Sequence, residues 1–541
     1  MGKRTDRWRR IAGAGRWGVR LLLVLTAAGC GIPEVHREPE LAALATTLDT
    51  IKTVRLAEQS KSEPVTIEQA TETQARQIAE PNRALPAIQL TLDEVRAAAL
   101  ANNLDLKVEL IDPAIAREQL DVERARYESV FFGSAGYARS DQIGGGAVSS
   151  RRYDAGVVTP LQTGGSITAS VPVAESGGVS QAAASVSVVQ SLLQGAGTRV
   201  NLYSIQVAAY AKDRTDASTK LRAIRILSNA DIAYWYLYAA RKKLDVSREQ
   251  YKLAQDQLEN ARHKVDAGSA AKIEIVRAEA GLASRLDTMI SAETTVRDRE
   301  RDLKRIMNRP DLPLHVQIDM IPMTDPDPRG LDLDQEELVA AALKNRMEMA
   351  ELEYRLATNE IDVAVARNNL LPALDMEYTF SAGGQAGATG RAVENIFDST
   401  LADHSVRLSG IVPVGNRAAE ARVRQARLSR VQTQISRELQ EQGIQEQVYN
   451  AVDGLQQNWR RILAAEQGVG RAHRSYRVEQ LQFQLGVRTS REVLDAASDL
   501  AEAQLRKIDA FVDYEIAQII LAEATGTLLG YGQIRLQPYG L

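Results

Sequence analysis

The feature that most limits what this chain can fold into is an internal duplication. Leu90-Thr91-Leu92-Asp93 corresponds to Leu331-Asp332-Leu333-Asp334, 241 positions later, and Leu120-Asp121-Val122 to Ile361-Asp362-Val363 at the same offset. Tyr137 and Tyr378 keep that spacing, whereas Gly268/Gly486, Ile275/Val493, Ala278/Ala496 and Leu303/Leu521 lie 218 apart. The first copy therefore carries 23 extra residues between its Tyr and its Gly. Self-similarity at a fixed offset means one supersecondary unit built twice. Each copy reads as a first helix (near 90–127 and 331–370), strands, then a proline-free stretch (198–266 and 417–485) and a returning helix. About 68 helical residues at 1.5 Å each reach roughly 100 Å. Val448, Val452, Leu455, Trp459 and Ile462 step 4, 3, 4, 3, the spacing of a helix–helix seam.

Between the helices, Leu374-Asp375-Met376-Glu377-Tyr378-Thr379-Phe380-Ser381 alternates apolar with polar, as do Val406–Ser409, Ser166–Val171 and Ser185–Val188. Period two marks a two-faced strand. The 23 extra residues are either an additional hairpin or a folded surface loop, so the chain holds four clear strands and six at most. Alternation suits a soluble sandwich as well as a membrane barrel. If the strands cross a membrane, one chain has too few to close a barrel, because about eight are needed and an open edge in lipid is not tolerated. Several chains must then share one wall.

The N-terminus has seven Lys and Arg within 1–20, then Leu21–Ala28, too short a run to span a bilayer. A charged start, a short apolar core and small residues read as an export signal. Ala27-Ala28-Gly29-Cys30 resembles a bacterial lipoprotein box with Ala27 in place of the usual leucine; ordinary signal cleavage is the alternative. Cys30 is the sole cysteine, which excludes a disulfide framework. Without residues 1–29 the chain has 59 basic and 69 acidic side chains, net −10 against −4 for the whole. That balance, with no basic block, argues against a nucleic-acid partner. Five scattered histidines offer no ligand or catalytic spacing, so neither a metal, a cofactor nor an enzyme is indicated.

Gln190-Ser191-Leu192-Leu193-Gln194-Gly195-Ala196-Gly197, Tyr234-Trp235, Val412-Pro413-Val414-Gly415-Asn416-Arg417 and, most specifically, Leu485-Gly486-Val487-Arg488-Thr489-Ser490-Arg491-Glu492-Val493-Leu494-Asp495-Ala496 carry a family resemblance. Over 90–530 the chain resembles outer membrane efflux proteins of the TolC family. The resemblance implies a mixed α/β homotrimer: a shared twelve-stranded transmembrane β-barrel continuous with a long periplasmic α-helical barrel. It implies an exit duct, lipid-anchored in the bacterial outer membrane, working with a periplasmic adaptor and an inner-membrane transporter of a tripartite pump or a type I secretion system. The competing reading is a periplasmic coiled-coil adaptor or structural lipoprotein. The expected parts are signal 1–29, tether 30–89, first repeat 90–308, Pro-rich junction 309–330, second repeat 331–527 and tail 528–541.

The resemblance also implies a periplasmic gate. Gly268 and Gly486 match the helix-tip turns where an adaptor docks. Glu492 and Asp495, spaced i, i+3, match acidic positions at the entrance, where six carboxylates in a trimer would attract cations and raise one another's pKa. Arg488 matches a bracing arginine and Glu274 its acidic partner. Phe483 stands where a tyrosine often supplies a gate hydrogen bond, and Ile273 at a usually polar position.

Overall fold

The computed structural model describes residues 86–531, apart from 142–146, 399–401 and 486. The expectations for 1–85, including Cys30, and for most of the tail lie outside these residues.

Two long helices form the spine: α4 (Tyr203–Asp266, 64 residues) and α9 (Arg417–Gln484, 68 residues). At 1.5 Å per residue each is about 100 Å long. Neither contains proline, so nothing interrupts the hydrogen-bond ladder. The returning helices α5 (Ile273–Met307) and α10 (Ser490–Ala524) are 35 residues each and cover about half of their partners. The remainder is covered by shorter helices that precede the strands. These are α1 (Leu92–Asn102), α2 (Leu104–Glu109) and α3 (Asp112–Ala125) beside α4, and α6 (Gln335–Asn345) and α7 (Met347–Asn368) beside α9.

The first helix of each half is thus broken where one continuous helix was expected. Asn103 leaves helical geometry (ψ 127°) and its side chain caps Leu106 N–H at 2.9 Å, starting a new helix; Pro113 forces the next start. In the second half the break is Arg346, extended at ψ 130°. Its guanidinium binds Glu348 and Gln447 of α9, so a tertiary contact overrides helix propensity.

The Pro-rich junction is a strap. Its β6 (Asp319–Pro322) pairs in parallel with β1 (Ala87–Leu90), a small sheet the sequence did not announce. Lys304 donates to Val316 O (2.7 Å), Thr324 N–H to the Tyr234 hydroxyl (2.8 Å), and Tyr514 to Arg329 O. Beneath it Tyr234, Trp235, Leu303, Met307 and Met320 form one apolar cluster. A second gathers Val448, Val452, Leu455 and Ile462, the expected seam, against Tyr514 and Leu521. Arg96 reaches Asp231, 1% exposed, through two hydrogen bonds of 2.8 Å, so the carboxylate is buried but paired.

Six strands form one antiparallel sheet in the order β2 (Val130–Asp141), β3 (Ala147–Pro160), β4 (Gly165–Ser176), β5 (Val179–Ser191), β7 (Ala373–Ala386), β8 (Ala402–Ile411). The first half supplies four strands and the second two. The expected twelve strands would take four from each of three chains, whereas the described residues of this chain form a sheet of six. The open alternative for the extra residues is decided for the hairpin. Gly177 (φ +60°) and Gly178 (φ +85°) make the two-residue β4–β5 turn, which requires positive φ at both positions. Where the first half has β3 and β4, the second has α8 (Thr389–Asp398), whose Ala392 and Ile396 pack on Val173 and Ala182.

Candidate functional site

Cross-strand register sorts the sheet into two faces, because residues directly opposite share a face. One face carries Phe131, Val157, Ala169, Val186 and Phe380, each opposite the next across successive strands, with Tyr378 opposite Val406 and Met376 opposite Leu408. The other carries Ser170, Ser185 and Ser381, then Thr168, Ser187 and Thr379. Hydrogen bonds run along it: Ser170 Oγ to Ser185 Oγ at 3.1 Å, Thr379 to Ser187 at 3.1 Å and Ser191 to Asp375 at 2.8 Å. Glu377 and Arg407 face each other there at 3.9 Å. An apolar face suits hydrocarbon and a hydroxyl and carboxylate face suits water. Strands of 10 to 14 residues are long enough for a tilted span, which takes about 9–11. No described helix is long and apolar enough to cross a membrane.

The helix tips lie at the far end of α4 and α9. Gly268 has φ +72° and completes a helix stop: its N–H donates to Val265 O (2.9 Å) and that of Ser269 to Lys264 O (2.8 Å). Only a residue without a Cβ adopts this conformation cheaply. The second tip closes by the same type of bond, Val487 N–H to Gln482 O at 2.9 Å. Gly486 itself lies outside the described residues.

Helix α10 then starts at Thr489, and Glu492 has a structural duty there. Its carboxylate accepts from the Thr489 N–H (2.8 Å) and hydroxyl (3.0 Å). The Thr489 backbone N–H first, then its hydroxyl and the Arg488 guanidinium at 2.7 Å, hold the Glu492 carboxyl below the usual carboxylate range. Arg488 also meets Glu479 (3.2 Å) and Gln482 (2.9 Å). Asp495 lies 3.7 Å from Arg491, and Glu274 binds Arg277 at 2.7 Å. Within one chain Arg488 and Glu492 are brought together, whereas Glu274 and Arg488 take other partners.

Phe483 is partly buried, and the Lys264 ammonium sits 3.7 Å from its ring centroid, a cation–π contact that ties the end of α9 to the end of α4. A second tie joins the halves, Ser490 Oγ to Gln257 Oε1 at 3.1 Å. Lys264 and Gln257 were missed in the sequence; they lie more than 200 residues from their partners, and no local pattern marks them. No group of three or more metal-ligating side chains occurs among the described residues.

Residues 338–527 match the family model described as outer membrane efflux protein. Over those residues the chain is of the outer membrane efflux protein family. It is 21% identical over 340 residues to the outer membrane efflux protein BepC of Brucella suis, covering 63% of this chain and 71% of BepC. Outer membrane protein TolC of Escherichia coli is 24% identical over 313 residues, 56% of this chain and 62% of TolC. The Campylobacter jejuni CmeC outer membrane channel has the same fold, with a TM-score of 0.63 at 15% identity over 81% of this chain and 86% of CmeC. The chain is therefore an outer membrane efflux channel, and neither an enzyme nor a periplasmic adaptor.

Proposed function

We propose that three copies assemble into one continuous exit duct, a shared β-barrel in the outer membrane standing on a helical barrel in the periplasm. The observation that carries this reading is the open sheet. Its outer strands β2 and β8 have unpaired edges, and β8 is exposed at every residue whose side chain is described. A free edge in lipid is untenable. Strand β2 leads away from the helices and β8 returns to them, so β8 of one copy can pair antiparallel with β2 of the next. The helices offer matching faces: Leu428, Val431, Ile435 and Leu439 on α9, at steps of three or four, and Val108, Ile111, Ile115 and, two turns further on, Val122 along α2 and α3 are all exposed. A second copy would cover both stripes.

In this reading the two halves are structural repeats joined by the 309–330 strap, and Cys30 carries the lipid anchor at the end of the tether. The helix tips around Gly268 and Gly486 meet a periplasmic adaptor, which links the duct to an inner-membrane transporter of a tripartite pump or a type I secretion system. Glu492 and Asp495 ring the narrow entrance; Arg488, Glu274 and Phe483 brace it. The Lys264–Phe483 contact takes the place of the usual tyrosine hydrogen bond. Carboxylates crowded about one axis favour cations. The double variant Glu492→Gln/Asp495→Asn is expected to lower cation preference in planar bilayers and to open more readily. Unchanged reversal potentials in a potassium chloride gradient would sink the gate assignment.

A further inference from the structure

We infer that the β3–β4 hairpin sets the bore of the duct: three copies close into an eighteen-stranded wall rather than a twelve-stranded one, a conclusion that rests on the three-fold duct proposed above. The hairpin belongs to the wall. β3 pairs with β2 over twelve residues, from Val130↔Val158 to Asp141↔Ala147, and β4 pairs with β5 from Gly165↔Gln190 to Ser176↔Val179. To leave the wall it would have to break both ladders, and β2 would have to find β5 directly.

The hairpin also obeys the same two-faced pattern as its neighbours. Tyr153, Val157, Ile167 and Val171 lie on the apolar face, and Thr168 and Ser170 on the hydroxyl face, where Ser170 Oγ meets Ser185 Oγ of β5. The backbones approach so closely at Gly156 that a Cβ there would lie 2.5 Å from Ala169 O and 2.6 Å from Ser170 Cβ. A surface loop needs none of this; a wall strand needs all of it.

Strands 4.8 Å apart and tilted about 40° give eighteen of them a circumference of about 113 Å and a Cα diameter of about 36 Å, against about 24 Å for twelve. The enclosed area is then about 2.2-fold larger. At the sheet end of the helices each chain presents α3, α4, α7 and α9. Twelve helices at about 9 Å spacing measure roughly 110 Å around, so an eighteen-stranded wall continues the helical barrel without a taper. The hairpin thus fixes the breadth of solute that can leave at the membrane end, independently of the gate at the other.

Deleting residues 147–176 removes both strands and leaves β2 and β5 antiparallel neighbours, so the variant can still close a wall. A spin label at Ser187→Cys, in mid-wall on the polar face, reads the distance between copies, and light scattering gives the copy number. For three copies the expected Cα separation is about 31 Å in the full chain and about 21 Å in the deletion variant, from the two diameters above. About 21 Å in the full chain, with three copies, would place the hairpin outside the wall and overturn this inference while leaving the duct intact. Two copies, or no separation below 50 Å, would overturn the duct as well. If the deletion variant does not assemble, the full-chain distance alone decides.

Discussion

Glu515 on α10 is the strongest test of how the strap is held. Burial, with a smaller push from the Asp327 carboxylate of the strap, raises its pKa from 4.5 to about 7, against an opposing hydrogen bond from the Asp327 backbone. One carboxyl oxygen, Oε1, is buried without a hydrogen-bond partner. In the unfolded chain the group titrates near its ordinary value, so between pH 4.5 and 7 the folded state binds more protons than the unfolded one. Stability then falls as pH rises through that window and is flat outside it.

A rise from 4.5 to about 7 corresponds to about 3.4 kcal/mol in full. Water reaches part of the group, and screening reduces this to about 1–2 kcal/mol. Glu515→Gln keeps the shape and removes the charge. It is expected to match the parent at pH 4.5 and to exceed it by about 1–2 kcal/mol at pH 8. The assay is thermal unfolding of the detergent-solubilised protein at the two pH values, reading the difference between variant and parent. A difference that does not change with pH, or a variant weaker at pH 8, would refute the burial argument.

Three further outcomes follow from geometry. Lys264→Gln removes a cation–π contact worth about 0.5–1 kcal/mol, so the channel should open about two- to five-fold more often in planar bilayers; an unchanged open probability would remove Phe483 and Lys264 from the gate. Gly156→Val should sharply lower the assembled fraction seen on unheated detergent gels. Gly136→Val, where the nearest atom to a new Cβ is 3.9 Å away, should not, and equal effects would deny the close β3–β4 approach. Arg96→Met strands the Asp231 carboxylate and should cost about 3–5 kcal/mol in denaturant unfolding, most of it recovered by adding Asp231→Leu; no recovery would mean that Arg96 acts through other contacts.

The long helices were legible because length, missing proline and a heptad seam all point one way: 198–266 and 417–485 became Tyr203–Asp266 and Arg417–Gln484. The alternating runs at 374–381 and 406–409 fall inside β7 and β8. The breaks at Asn103 and Arg346 were not legible, because each depends on a cap or a partner that only the folded chain supplies. The β1–β6 pair joins segments over 200 residues apart and shows no alternation. Strand β3 was obscured by Arg151-Arg152-Tyr153-Asp154, whose charges read as loop yet sit near the outer rim of the sheet. At the tip, Thr489-x-x-Glu492 is a capping box visible in the sequence, and it explains the position of Glu492 before any gate is invoked. The contacts proposed between copies rest on exposed stripes and free edges, which a single chain leaves unanswered.

The most direct test of the duct is single-particle imaging of the detergent-extracted full chain. A hollow three-fold tube well over 100 Å long, with a detergent belt around one end only, is the expected image. A solid rod without a belt, or a two-fold particle, would contradict it and return the sheet to a soluble role.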